Sequence, residues 1–195
     1  MKNQSFIKCL AALSLLLALS FQPARATTVL PLSLEQMSQK AHLIIYATVR
    51  EVNTGIEPGV DKNRLGPVVT WTSFDVIEVI KGEAGESHTI KQIGGRLENG
   101  RSLRVLGVPR YEVGRSYVVF LTEPSSIGYS SPIGLHQGSF TVQEVDGIKT
   151  VSNGRKLEHN HAGRAAVAPL ATSVTDPSSA QLADFLSTVR AYTKE

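Results

Sequence analysis

The sequence predicts a mainly β domain: an antiparallel barrel of five to six strands, with a short helix before it and a second helix after it. Three observations predict it. Runs rich in β-branched and aromatic residues recur between Leu43 and Ser152, separated by turns rich in Gly and Pro. Apolar residues at helical spacing occur near the two ends of residues 27–195. Asp146-Gly147, a dipeptide suited to a type I′ hairpin turn, lies between two of the β-rich runs.

Residues 1–26 are expected to be an export signal and not part of the fold. Lys2 and Lys8 supply a positive start, residues 10–21 (LAALSLLLALSF) are apolar but too short to span a bilayer, and Ala24-Arg25-Ala26 gives the small-x-small cleavage pattern. Processing near Ala26 leaves Thr27 and Thr28 at the mature N-terminus and implies a periplasmic or secreted protein. The remaining chain has no second apolar run long enough to cross a membrane.

The elements follow in order. Ser33 and Gln36 fit a capping box, and Leu34, Met37 and Ala41 form an apolar stripe, which predicts a helix over residues 34–41. Residues 43–52 (LIIYATVREV) read as a strand that is apolar on both faces in its first half, and residues 53–67 as a loop. Residues 68–80 (VVTWTSFDVIEVI) form a second strand. In it Phe74 and Val76 share one phase while Ile77 and Val79 share the other, the mark of a β-bulge. Lys81-Gly82 turns into a third strand, residues 88–93, which ends at Gly94-Gly95. A short strand is expected over 103–106, a buried one over 117–121, a weak one over 129–135, and a hairpin of residues 140–145 and 148–152. Together, residues 27–152 make the barrel. Residues 153–175 read as a flexible linker. Residues 176–195 read as a terminal helix, with Asp176-Pro177 as its cap and Leu182, Phe185, Leu186 and Val189 as its buried stripe.

Composition removes several function classes. Of 20 basic and 17 acidic residues, Lys2, Lys8 and Arg25 belong to the leader, which leaves 17 of each sign. A neutral chain lacks the positive field that drives phosphate binding, so no nucleic-acid partner is expected. The single cysteine, Cys9, lies in the leader, so the mature chain has no thiol nucleophile, thiolate ligand or disulfide.

Candidate chemistry is sparse. His159 and His161 are two apart, so an extended backbone points both imidazoles to one side and they are the candidate metal ligands; the favoured reading is a solvated polar loop. Asp75 and Glu78 face opposite sides of a regular strand, unless the bulge reorients them. No G-x-S-x-G elbow occurs. Gly94-Gly95-Arg96 lacks Walker spacing and reads as a strand end that needs positive φ. Tyr46, Trp71, Phe74, Tyr117 and Phe120 read as core residues, and no catalytic residue or cofactor is assigned.

The order AHLIIYATVREV, SFDVIEVIKG, HTIKQIGG, YEVGRSYVVFL and GLHQGSFTV resembles the netrin-like, or tissue-inhibitor-of-metalloproteinase-like, group, over about residues 33–145. It is closer still to exported bacterial proteins of that pattern. The resemblance implies an OB-like, antiparallel Greek-key barrel with a helix packed on it. For the animal inhibitors it also implies metalloprotease binding through a mature N-terminal cysteine. Thr27, followed by Thr28, matches that position here and makes these two the candidate partner-binding residues. The leading expectation is a non-enzymatic exported module that recognises a protein, or a saccharide. The alternatives are a metal-dependent hydrolase using His159 and His161, and a metalloprotease inhibitor acting through the mature N-terminus.

Overall fold

The computed structural model describes residues 30–58, 66–154 and 179–194. The expected leader, most of the expected linker and the Asp176-Pro177 cap lie outside the described residues.

Helix α1 (Leu34–Lys40) opens on the capping box: the Gln36 N–H donates to Ser33 Oγ at 3.2 Å, and the Ser33 N–H donates to Gln36 Oε1 at 3.0 Å. Leu34, Met37 and Ala41 are buried beneath it. Its other end is closed by a distant residue. Lys81 Nζ donates to the carbonyls of Ser38 at 2.9 Å and Gln39 at 2.7 Å, placing a cation at the negative end of the helix. Desolvation there holds the Lys81 ammonium below its ordinary pKa. Gly82 follows with φ +78°, and a Cβ on it would stand 2.6 Å from the His42 carbonyl oxygen. The Lys-Gly turn thus caps one element and lets another pass close by.

The strands are β1 (Leu43–Ile56), β2 (Val68–Lys81), β3 (Ser87–Ile93), β4 (Gly95–Arg96), β5 (Ser102–Leu103), β6 (Ser116–Leu121), β7 (Ser139–Val145), β8 (Ile148–Ser152) and β9 (Ser179–Gln181). Seven of them form one antiparallel sheet in the order β3-β2-β1-β6-β7-β8-β9, while β4 and β5 pair with each other. The anticipated bulge is present. Val76 pairs with Ala47 and Glu78 with Tyr46, which leaves Ile77 without a partner in the ladder. A second bulge at Arg50 shifts the phase of β1, so that Val49 and Val52 both face the same side. The Asp146-Gly147 turn has φ +53° and +77°, as type I′ geometry requires.

Both faces of the sheet are buried near its centre. Ile44, Tyr46, Val118, Phe120, Phe140, Val151 and Ala180 pack under α1 and the C-terminal helix α2 (Leu182–Thr193), with Phe140 and Phe185 ring centroids 4.7 Å apart. On the opposite, inner face lie Leu43, Ile45, Ala47, Val49, Phe74, Ile90, Tyr117, Val119 and Leu121, joined by Tyr111. Tyr111 meets Phe74 and Tyr117 edge-on at 5.1 and 5.0 Å.

Three expectations are corrected. The sheet is open: β3 and β9 are its ends, and among the described residues no ladder joins them. The apolar inner surface stops at β6. Beyond it Ser139, Thr141, Gln143, Thr150 and Ser152 carry polar side chains on that face, and the chain between β3 and β6 lies against the inner cluster instead. Residues 129–135 form no strand. Gly128, Gly134 and Leu135 all have positive φ, so only single bridges form at Tyr129 and Pro132, followed by a 3₁₀ turn (Leu135–Gly138). Among the described residues the C-terminal segment opens as a strand and not as a helix. Ser179, Ala180 and Gln181 pair with Ser152, Val151 and Thr150 of β8, whose outer edge is free to receive them, and α2 starts only at Leu182 with the expected stripe buried. Among the described residues no helix is long and apolar enough to cross a membrane.

Candidate functional site

The inner face changes character towards the far end of β1, β2 and β3. Val52, Thr72 and Ile90 sit in one cross-strand row, and Thr54, Thr70 and Gln92 in the next. Apolar packing therefore gives way to hydroxyl and amide groups within two rows. The segment that follows β3 arches over them and leaves a cleft of about 420 Å³, within the range of small-ligand pockets. Thr54, Thr70, Thr72 and Gln92 line one wall; Arg96, Arg104 and Arg110, with Val105, Leu106 and Val108, line the other.

Two glycines allow this closure. Gly94 (φ +100°) and Gly95 (φ +142°) bring the arch directly over the threonines. A Cβ on Gly95 would lie 2.4 Å from Thr70 Oγ1 and 2.5 Å from Thr54 Cγ2. The reading of this pair as a strand end that needs positive φ holds, and the close approach is a second reason for it. Thr70 Oγ1 donates to the Gly94 carbonyl at 2.7 Å. Its one proton is used there, so Thr54 Oγ1 is the donor in the 3.2 Å Thr54–Thr70 contact.

The deeper polar groups are not satisfied. Among the described residues Thr72 Oγ1 and Gln92 Nε2 have no hydrogen-bond partner, although these residues are 1 % and 3 % exposed. Buried polar groups are seldom left in this state. Tyr111 Oη is also unpartnered; the Ser139 hydroxyl is near enough to act on its titration but not in hydrogen-bonding geometry. Burial is the larger effect and pushes the Tyr111 phenol far above its ordinary pKa, so it stays protonated. The guanidinium groups are free of acids. Among the described residues Arg96, Arg104 and Arg110 make no ion pair, while Glu112, the nearby acid, pairs with Arg115 at 3.0 Å. Among the described residues the lining carries hydroxyl, amide and guanidinium groups and no carboxylate or imidazole. Such a set donates hydrogen bonds and holds an anion. A second, more polar depression of about 400 Å³ lies across Arg110, lined by His136, Ser139 and Thr141 among others.

The other face of β3 is tied to two loops. Lys91 Nζ donates to Glu57 Oε1 at 2.5 Å and to the Ile127 carbonyl, and Tyr129 Oη donates to Glu57 Oε2 at 2.5 Å. The ammonium also lies 4.5 Å from the Tyr129 ring centroid. The Lys91 hydrogen bond, then that of Tyr129, lowers the Glu57 pKa, and desolvation followed by the Glu57 hydrogen bond pushes Tyr129 up to about 12.

Of the residues singled out from sequence, Thr27, Thr28, His159 and His161 lie outside the described residues. Among the described residues no group of three or more His, Cys, Asp or Glu side chains is placed to hold a metal ion. The Ile77 bulge does bring Asp75 and Glu78 to one face, opposite Thr48 and Tyr46, but each meets its own arginine, Arg50 and Arg190 respectively. His88 faces inward beside Phe74, half-buried, and desolvation lowers its pKa. Tyr46, Phe74, Tyr117 and Phe120 are core as expected, whereas Trp71 is half-exposed on the other face of β2, against Gly55. The cleft residues Thr70, Thr72 and Gln92 escaped notice, although Thr70 and Thr72 share the phase of Phe74 and so stand as polar residues at core positions. No protein family matches this chain, and no curated protein matches it.

Proposed function

We propose that this chain is an exported, non-enzymatic binding module that recognises a protein partner through the cleft at the open end of its sheet. One observation carries the reading: Thr72 Oγ1 and Gln92 Nε2 are buried without partners on the wall of an accessible cleft. Groups in that state cost stability in the free protein, and a ligand whose entry displaces the wall over them would supply the missing partner. The hydrogen-bond donors and guanidinium groups of the lining favour recognition of an anionic partner. The strand order β3-β2-β1-β6-β7, with β6 laid beside β1 after three consecutive antiparallel strands, supports an OB-like Greek-key ancestry in which the last closing ladder is missing. The leader supports export to the periplasm or beyond.

The test is capture from the exported fraction on immobilised mature protein, run beside a Thr72→Val/Gln92→Leu variant whose fold is verified by circular dichroism. The reading expects a retained protein that the variant releases. Equal retention by both would remove the cleft as the site, and turnover of a substrate panel would remove the non-enzymatic assignment.

One observation favours a second reading, metalloprotease inhibition through Thr27. Gln137, 1 % exposed, accepts from the Leu32 N–H at 2.9 Å and donates to the Leu30 carbonyl at 3.2 Å. It thereby holds Leu30 and Leu32 in place, a tether that would reduce the entropy a docked N-terminus loses. One extra residue ahead of Thr27 would abolish inhibition by this route; inhibition that survives the extension rules it out.

A further inference from the structure

The rim of the cleft carries positive charge. Arg96, Arg104 and Arg110 converge on it from a segment whose one intervening acid, Glu98, does not line it. Unpaired guanidinium groups around a partly apolar cleft are the groups that hold carboxylates, often two N–H groups at a time. Just beneath the cleft wall, sealed from solvent, lie Gln92 Nε2, a donor, and Thr72 Oγ1, both donor and acceptor, one strand apart on the same face, so that a ligand meets them only as the wall yields. A peptide unit presents the complement, a carbonyl and an N–H. Saccharide rings are commonly seated on an exposed aromatic face. Among the described residues Tyr111 is the one aromatic in the lining, and its ring is engaged by Phe74 and Tyr117. Val105, Leu106 and Val108 give apolar contact for the side chains between the charges.

We infer that the cleft takes an acidic peptide segment of its partner: carboxylates lie against Arg96, Arg104 and Arg110 at the rim, and a backbone amide meets Gln92 and Thr72 below. This rests on the binding-module reading and names the chemistry of its ligand.

The experiment is fluorescence anisotropy with the full mature chain and a labelled peptide of alternating glutamate and alanine, beside its glutamine counterpart and a uronic-acid oligosaccharide. The glutamate peptide should bind about tenfold or more tightly than the glutamine peptide, the usual effect of a hydrogen bond made to a charged group. Arg104→Ala and Arg110→Ala should each weaken the glutamate peptide by about the same factor and leave the glutamine peptide nearly unchanged. Arg101→Ala, an exposed arginine of the same segment outside the lining, should change neither. Thr72→Val should weaken both peptides alike. Equal affinity for the two peptides, or an effect of Arg101→Ala as large as that of Arg104→Ala, would overturn the assignment of charge. Binding of the oligosaccharide alone would overturn the peptide. If no probe binds while the captured partner still depends on Thr72 and Gln92, this inference fails and the module stands. If the captured partner ignores those residues, the module reading itself fails.

Discussion

Replacing Thr72 by Val exchanges a hydroxyl for a methyl at almost constant shape, and the structure predicts that the protein becomes more stable. Thr72 is 1 % exposed and its Oγ1 has no partner. An unpaired buried hydroxyl costs on the order of 1–3 kcal/mol, and valine keeps the β-branched stiffness that suits the strand. Taking the lower end gives a gain of about 1 kcal/mol, or a Tm about 2–4 °C higher for a chain of this size. Thr70→Val is the internal contrast. Its Oγ1 donates to the Gly94 carbonyl at 2.7 Å and receives Thr54 at 3.2 Å, so valine there removes two hydrogen bonds. A loss of about 1–3 kcal/mol is expected, with Tm falling by about 2–12 °C. Differential scanning calorimetry at neutral pH reads both. The partner-capture assay should show Thr72→Val weaker in binding despite its greater stability, the trade-off expected where a site stores unsatisfied groups. If Thr72→Val lowers Tm as Thr70→Val does, the hydroxyl is satisfied in the folded protein, and the argument from unpartnered groups is wrong.

Three other outcomes are expected. Gly95→Ala and Gly100→Ala both place a Cβ at positive φ, but a Cβ at Gly95 meets Thr70 Oγ1 at 2.4 Å while Gly100 has nothing within 4 Å. Thermal melts should show about 1 kcal/mol lost at Gly100 and about 2–5 kcal/mol at Gly95, and equal losses would mean the arch does not press on the threonines. Gln137→Leu removes both hydrogen bonds to residues 30 and 32 and should cost about 2–4 kcal/mol and expose the N-terminal segment to proteolysis; unchanged cleavage would show the segment held by something else. Glu57 has a folded pKa below its ordinary 4.5, so its contribution is present above pH 4.5 and is lost as pH falls through the lower folded value. Glu57→Gln should therefore flatten the Tm–pH curve below pH 4.5 and bring Tyr129 down from about 12 towards 10.0, followed by tyrosinate absorbance against a Tyr129→Phe control; a Tyr129 still ionising near 12 would contradict the network.

The parts of the fold that were legible in the sequence are those governed by neighbours. Ser33 and Gln36 announce α1 because a capping box needs only residues three apart, and Asp146-Gly147 announces its hairpin because both central residues must adopt positive φ. The slip between Val76 and Ile77 revealed the bulge because a change of phase is visible along a single strand. Closure was misjudged because it depends on what β7 presents to β3, a non-local matter: Phe140 and Val142 made the strand evident, but Ser139, Thr141 and Gln143 on the inner side leave nothing apolar to draw the ends together. Ser179, Ala180 and Gln181 looked helical for a similar reason, since only the free edge of β8 makes them a strand. The candidate site was the least legible part. Thr70, Thr72 and Gln92 are ordinary strand residues until the β2–β3 ladder sets them on one face beneath the Gly94-Gly95 arch, the Arg50 bulge in β1 brings Thr54 beside them, and the arginines opposite come from a segment with little regular structure.

The most direct test of the central claim is a backbone and side-chain amide NMR titration of the mature protein with its captured partner. The account predicts that the Gln92 side-chain amide and the backbone amides of Thr54, Thr70, Thr72, Gly94, Gly95 and Arg104 shift or broaden first, while Ser73 and Thr89 on the opposite face stay still. Perturbation centred on Ser73, Thr89 and Trp71, with Gln92 unmoved, would place recognition on the other side of the sheet and contradict it.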